Sequence, residues 1–425
     1  TARAQTIVSE GFNPKTGILT AQDSAGDVYT ANLTTLSLTG VSTVPATFTA
    51  PGGPTQPVIF TVTPTGAGQF SATGDLPTLL LLACSVNTVS GVATCGLKPT
   101  PALSTKIEQS LAAGTTGEVR SQATAVANTI TARLRAVTRD LAQGLSPASA
   151  PAAPGDTVIL KDFSSDPSLG YKYGGLSAGS PDTRWGAWAD SSGSFLGNNT
   201  SIGYSGTSVV ALTGLDYLVD RQWLLGMSAG YTHADLSLTP STVTHDSDGA
   251  VVGPYASYVI TPNLAVDALV NYTSLNNTVS SPVPLPSGGY HSNRVTGASD
   301  LDIFTNYDAL KLTGYGGYAY TWEGGGASSV VGSGLGTANN IRYGAIRIGG
   351  EAAYDIDGFE PYLPITFEYQ TTTPDDETSR AALVLGGGLR YRWSDTLTGG
   401  FLVETTEIKT HTRDVLVEAH LRWSF

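Results

Sequence analysis

Alternation of apolar and polar positions dominates the second half of the chain. From Val415 to Phe425, one set of alternate positions holds Val415, Val417, Ala419, Leu421, Trp423 and Phe425. The other set holds Leu416, Glu418, His420, Arg422 and Ser424. Successive side chains of a β-strand point to opposite faces, so this segment predicts a strand with one apolar and one charged face. The pattern recurs. Leu383, Leu385, Leu389, Tyr391 and Trp393 alternate with Gly386, Gly388, Arg390 and Arg392. Ile346, Ile348, Ala352 and Tyr354 alternate with Arg347, Gly349 and Glu351. Similar rows run through Pro361–Tyr369 and Trp223–Tyr231. These strands begin near Thr183.

The first half reads differently. Residues 1–100 are rich in Thr, Gly, Pro and Val, with short strand-like runs such as Gly17–Thr20 and Val58–Val62. They predict a small β-sandwich or an irregular β domain. Over 101–145 the period changes. Val119, Ala123, Val126, Ile130, Leu134, Val137 and Leu141 recur at steps of three or four, which predicts an amphipathic helix. Its polar positions include Arg120, Gln122, Asn128, Arg133, Arg135 and Arg139. Gly114 and Gly117 mark a break or kink in its first third. The apolar stripe must be buried against the N-terminal domain, in a coiled coil, or in a pore. Residues 146–182 form a Pro/Ala linker and bridge.

Two regularities turn the C-terminal strands into a barrel. Short connections near Asp220, Thr261, Thr305, Asp355 and Ser394 alternate with longer ones near 196–206, 238–246, 279–290, 323–339 and 371–379. The last, at 409–412, falls on the long side but is short. Outer-membrane barrels have this asymmetry of turns and loops. A strand between each pair of connections makes about twelve. Second, Trp185, Tyr217, Trp223, Tyr258, Tyr354, Trp393 and Trp423 gather at the short-turn end, as a membrane interface selects. The fold class expected is therefore mainly all-β: an antiparallel transmembrane β-barrel over 183–425, preceded by a small β domain and one amphipathic helix.

Composition agrees. Charged residues are 13% of the 425 residues, and glycine numbers 50. A soluble enzyme usually carries about a quarter charged residues. The net charge of −13, with no basic cluster, excludes a nucleic-acid partner. The longest apolar run, Leu79–Cys84, is far below the roughly 20 residues of a spanning helix. The chain opens without Met or a charged-then-apolar leader, so we expect a mature N-terminus after export. Cys84 and Cys95 fit a small disulfide in an oxidising compartment, with a free buried pair as the alternative.

The C-terminal half resembles a known family. Gly214–Tyr217 leading into Trp223–Tyr231, Arg347–Tyr354 followed by Phe359–Tyr362, and the terminal Leu421–Phe425 together look like the translocator β-domain of autotransporters. The resemblance implies a twelve-stranded outer-membrane barrel in a Gram-negative-type cell. It also implies a passenger at 1–100 and a connecting helix that threads the pore. Leu421, Trp423 and Phe425 are then the signal read by the barrel assembly machinery. In that family the helix joins the first strand closely. The forty intervening residues here leave a second arrangement, with 155–182 in the pore and the helix outside. An Asn-Asn pair marks passenger cleavage in some members; this helix has only Asn128, so no such cleavage is expected.

Candidate chemistry is sparse. Gly226–Gly230 matches G-x-S-x-G but lies inside an alternating strand, not on a strand-to-helix elbow. Gly332–Gly336 lacks the helix and Lys of a phosphate loop. Asp246–Gly249 and Asp355–Gly358 lack the closing Glu of a calcium loop and read as turn residues. The histidines show no ligand spacing, and His420 is expected in the lumen as a polar filler. No catalytic residue, cofactor or metal is expected. Predicted inward charges are Asp216, Asp267, Lys311, Arg347, Glu351, Glu368, Arg390, Arg392, Glu404, Glu418 and Arg422. They pair with one another or with a plug, or they set ion selectivity.

The function expected is a non-enzymatic outer-membrane protein that anchors its N-terminal domain at the cell surface for attachment or surface structure. The alternative is a porin-like channel or envelope anchor with that domain in the periplasm. Expected partners are outer-membrane lipid, the barrel assembly machinery, and a second copy of the chain through 101–145.

Overall fold

The computed structural model describes residues 6–34, 41–66, 69–75, 80–99, 101–142, 184–200, 203–220, 222–239, 243–280, 288–325, 340–372, 380–394, 396–407 and 412–425. The linker at 146–182, the Gly332–Gly336 segment and His411 lie outside them.

The C-terminal strands are β9 (Trp185–Asn198), β10 (Tyr204–Leu218), β11 (Trp223–Leu238), β12 (Thr244–Thr261), β13 (Leu264–Ser280), β14 (Gly288–Tyr307), β15 (Leu310–Gly325), β16 (Asn340–Tyr354), β17 (Phe359–Thr372), β18 (Ala381–Arg392), β19 (Leu397–Glu407) and β20 (Thr412–Ser424). Each pairs antiparallel with the next, and β20 pairs with β9 to close a twelve-stranded barrel. The seam runs from Thr412 opposite Asn198 to Ser424 opposite Gly186. Two expected boundaries shift. The turn expected at Thr305–Asn306 falls at Asp308, whose φ of 53° lets the chain reverse in two residues. The 238–246 loop is shorter than expected, because β12 begins at Thr244 and takes Asp246–Gly249 into the sheet. Those residues alternate inward and outward and pair with β11 and β13.

The outward face is apolar along most of the wall, with Leu215, Met227, Val270, Ile303, Ile348, Leu363 and Phe401 all exposed. So much exposed apolar surface belongs in lipid, where closure also gives every strand a hydrogen-bonded neighbour. At the short-turn rim, Trp185, Trp223, Tyr354, Trp393 and Trp423 face outward. Tyr217 and Tyr258 are half-buried against Trp185 and Trp223, with ring centroids 4.8 and 4.6 Å apart. A second outward tier, unforeseen from sequence, holds Tyr231, Tyr272, Tyr318, Trp322 and Tyr369. Eight residues separate Trp223 from Tyr231 along β11. At roughly 3.4 Å per residue and a tilt of about 40°, they span about 21 Å of membrane height, close to the ~25 Å band of such barrels.

One helix, α1 (Pro101–Ala142), enters this barrel. It is continuous through Gly114 and Gly117, so the expected break is absent. The glycines serve a close approach instead. A Cβ on Gly114 would lie 2.8 Å from Leu238, and one on Gly117 would overlap the Tyr204 ring. Val126, Ile130, Leu134 and Val137 pack on Trp188, Leu212, Leu224, Val251 and Leu269 of the inner wall. The stripe on which self-association was expected is thus enclosed by the barrel. The helix also takes the place in the lumen that the second arrangement assigned to 155–182.

The N-terminal strands are β1 (Ile7–Asn13), β2 (Ile18–Asp23), β3 (Val28–Asn32), β4 (Ser42–Thr49), β5 (Thr55–Gly66), β6 (Gln69–Asp75), β7 (Leu80–Asn87) and β8 (Val92–Pro99). They form one eight-stranded meander in sequence order, not the two stacked sheets of a sandwich. Each strand pairs antiparallel with its successor. Two of the turns between them are alike. Asn13 Oδ1 accepts from Lys15 N at 3.0 Å, and Asn87 Oδ1 accepts from Val89 N at 3.0 Å. Each ends on a left-handed glycine, Gly17 or Gly91. The sheet curls until β1 lies beside β8, and its described inward apolar residues form one core that includes Leu19, Phe48, Phe60, Val62, Phe70, Leu82 and Val86. Ile107 and Leu111 of α1 continue that core to Leu196, Tyr204, Leu236 and Leu238 at the barrel's long-loop rim. Cys84 and Cys95 face each other across β7 and β8 and form the expected disulfide, S–S 2.08 Å. Tyr29 donates to buried Asp23 at 2.8 Å; burial first, and the Asp23 carboxylate second, raise its hydroxyl pKa.

Phe60→Ala is expected to cost about 3–5 kcal/mol. Limited proteolysis should show residues 1–100 digested at lower temperature, while the barrel keeps its heat-dependent shift in gel mobility.

Candidate functional site: the helix held in the lumen

The helix has a direction. Ser110 Oγ donates to the Thr239 carbonyl at the long-loop rim. Near its other end, Leu141 packs beside Val259, Ala265 and Phe304 at the short-turn rim. Between these points polar side chains of α1 meet the wall in successive levels. At the top, Glu118 lies 3.0 Å from His245 Nε2 and 3.2 Å from Arg294. Arg294 also donates to Gln122 and, at 2.8 Å, to Glu323. Arg120 reaches across to Asp414 at 2.6 Å. At mid-height Arg347 donates to Asn128, and Thr129 donates to Asp190 at 3.2 Å. Lower down, Arg133 pairs with Asp216, and Arg135 pairs with Asp302 at 2.8 Å and Asp300 at 3.4 Å. Arg139 lies 3.8 Å from Glu360.

The expected lumen charges fall within this system. Asp216 also meets Arg422 at 3.6 Å and accepts from Tyr255. Lys311 binds Asp355 at 2.9 Å and Glu360. Arg347 grips Asp300 at 3.0 Å. Arg390 makes a fork with both oxygens of Glu351, each at 2.7 Å, and a third bond to Glu360 at 2.9 Å. Glu368 accepts from Tyr343 at 2.5 Å, and Asp267 accepts from Ser257. Glu404 and Glu418 line a cavity. Arg392 is half-buried at the short-turn rim, and its backbone N–H donates to the Gly358 carbonyl at 3.0 Å. Six of these eleven charges, Asp216, Lys311, Arg347, Glu351, Arg390 and Arg422, form ion pairs with other wall residues or with the helix.

Several members escaped sequence reasoning: Glu118, Asp190, His245, Arg294, Asp300, Asp302 and Glu323. Asp300 and Asp302 alternate with outward Leu301 and Ile303, a signal that was legible. The partners of Glu118 and Arg294 lie far apart in sequence, and no local pattern reveals them. Ser228, the serine of G-x-S-x-G, is buried and bonds Gly253 O and Asn271 at 3.0 Å, a wall contact with no base beside it. Asp355 caps its own turn through Gly358 N at 3.1 Å.

The helix leans on the wall from β9 to β16. Two cavities remain toward β17–β20, of about 120 and 70 Å³. Asn128, Arg347, Thr366 and Glu404 line both.

A closed twelve-stranded barrel with its connecting helix in the lumen is the arrangement the resemblance implied. Residues 185–404 match the family described as the autotransporter β-domain, just over half of the chain. The chain belongs to that family. The autotransporter fold is shared with the translocator domain of NalP from Neisseria meningitidis, at 13% identity and a TM-score of 0.50, over 58% of this chain and 90% of that one. The β-domain of the Bordetella autotransporter Brka aligns at 17% identity and 0.48, over 57% and 100%. In sequence, YaiT of Salmonella typhimurium is 28% identical over 213 residues, and YaiT of Escherichia coli 26% over 217. Each match covers 46% of this chain and 21% of the relative, so the matched region spans about a fifth of those proteins. Autotransporter β-domains are outer-membrane barrels, and the outer membrane is where this barrel resides.

Arg135→Ala should cost about 3–5 kcal/mol, because it strips Asp302 of its ion pair inside the lumen. The check is the temperature at which the folded band converts to the unfolded one on a gel; Arg135→Lys should recover part of the loss.

Proposed function

We propose that this protein holds its N-terminal eight-stranded sheet at the cell surface, for attachment or surface structure and without catalysis. The polarity of α1 carries this reading. Short turns of outer-membrane barrels face the periplasm and long loops face outside. The helix starts at the long-loop rim, where Ile107 and Leu111 join the sheet's core to the barrel, and it ends at the short-turn rim. The sheet then stands outside, over the mouth. The outward apolar band and aromatic tiers suit outer-membrane lipid. Leu421, Trp423 and Phe425 are exposed on one face of the last strand, which suits recognition by the barrel assembly machinery.

A porin-like role has one feature in its favour, the pair of cavities beside the helix. The buried ion pairs across the lumen oppose it, since they hold the helix in the path of ions.

Two measurements decide. A cysteine placed at Pro51, in the exposed turn between β4 and β5, is expected to react with an impermeant reagent on intact cells. Labelling only after the outer membrane is opened would place the sheet in the periplasm and end the surface reading. In planar bilayers the full chain should conduct weakly, and a form lacking residues 1–182 several-fold more. Equal, large conductance from both would favour the channel.

A further inference from the structure

The barrel closes where its first and last strands meet, and that seam carries an unusual group. On the inner face, Asp190 stands opposite His420, and Ser192 stands opposite Glu418. Asp190 and Ser192 on β9 and Glu418 and His420 on β20 thus occupy four neighbouring inward positions across the seam. The ligand atoms of Asp190, Glu418 and His420 all lie within 4.8 Å of one another. His420 Nδ1 is 4.0 Å from Glu418 Oε1. Asp190, Glu418 and His420 open on the larger lumen cavity. Gly400, opposite His420 on β19, leaves room for the ring, since a Cβ there would come within 3.0 Å of it.

Seven other lumen carboxylates near the helix have cations, whereas Asp267, Glu368 and Glu404 show no ion pair among the described residues. Glu118, Asp216, Asp300, Asp302, Glu323, Glu351 and Glu360 each form an ion pair with Arg or Lys. Among the described residues, neither Asp190 nor Glu418 lies within ion-pair distance of an Arg or Lys. The nearby guanidiniums are committed, Arg133 to Asp216 and Arg390 to Glu351 and Glu360. Independently, the hydroxyl of Ser192 on the same inward row is buried, the residue being 2% exposed, and has no hydrogen-bond partner among the described residues. Two carboxylates held this close repel each other unless a proton or a cation lies between them.

We infer that Asp190, Glu418 and His420, with Ser192 beside them, bind one divalent transition-metal ion that staples the first strand of the barrel to the last. Two carboxylates and a neutral imidazole balance a 2+ ion, and the mixed N/O set suits Zn²⁺ better than the all-oxygen preference of Ca²⁺ or Mg²⁺. Thr129 of α1 donates to Asp190 and would orient it, as outer-shell partners do for metal ligands. Because the ion would bind only where β9 and β20 are paired, its binding stabilises the closed barrel by mass action.

The test uses the full chain, purified in detergent and stripped of metal. Calorimetric titration with ZnCl₂ is expected to show one saturable site, and bound Zn²⁺ should raise the temperature of the gel-mobility transition. His420→Asn and Glu418→Gln should each weaken binding roughly tenfold or more. His233→Asn, at the exposed pair with Asp248 on the barrel's outside, should bind as the parent does. No saturable binding by folded parent protein would overturn the proposal and leave a shared proton only. So would binding unchanged in both seam variants, or lost in His233→Asn instead. Should the seam variants not fold, Co²⁺ in the parent decides. Visible absorption bands displaced by one equivalent of Zn²⁺ support the site, and their absence overturns it.

Discussion

A peptide group inside a bilayer has no water to bond, so every N–H and C=O along the wall must be matched within the protein. The pairing of β20 with β9 meets this demand, since it removes the two edges that twelve antiparallel strands would otherwise leave open. Once closure is imposed, the rest follows in order. The wall has an outside that lipid requires to be apolar and an inside that lipid cannot reach. Charges withdrawn to the inside must be neutralised there.

That neutralisation gives the helix its place. Its arginines Arg120, Arg133, Arg135 and Arg139 each meet an acid on the wall, and Glu118, buried on the same helix, meets His245 and Arg294. The same helix presents Val126, Ile130, Leu134 and Val137 to apolar wall residues between β9 and β16. Apolar contact sets which side of the lumen the helix occupies, and the ion pairs set its height. A shift of one turn would uncouple every charged level at once, because buried charges without partners are costly.

The barrel was legible because lipid and lumen impose opposite chemistry on alternate residues, which a period of two records directly. Trp423 and Arg422 are neighbours in sequence and face different solvents. The helix was legible for a similar reason, but its location was not, since a stripe such as Ile130–Leu134–Val137 fits any apolar partner. Gly114 and Gly117 misled for a physical reason: glycine permits close packing as well as bending, and propensity does not distinguish the two. In the N-terminal region the strands were visible but their order was not. Strand pairing there depends on turns such as Asn13–Gly17 and Asn87–Gly91, whose likeness becomes meaningful only when they are seen side by side. Of the lumen charges, those flanked by apolar neighbours on strands could be assigned inward. Their partners lie up to hundreds of residues away and leave no local trace.

Among the described residues one helix occupies the lumen, an object about 10–12 Å across with its side chains. Eight strands roughly 4.8 Å apart make a ring about 12 Å across at the backbone, before any outward side chain is added. The N-terminal sheet is therefore wider than the opening beneath it. For a chain that reaches the long-loop side by way of the lumen, size alone dictates a sequence of events. The strands pass first, the sheet forms afterwards, and once formed it acts as a stopper that keeps the helix from slipping back.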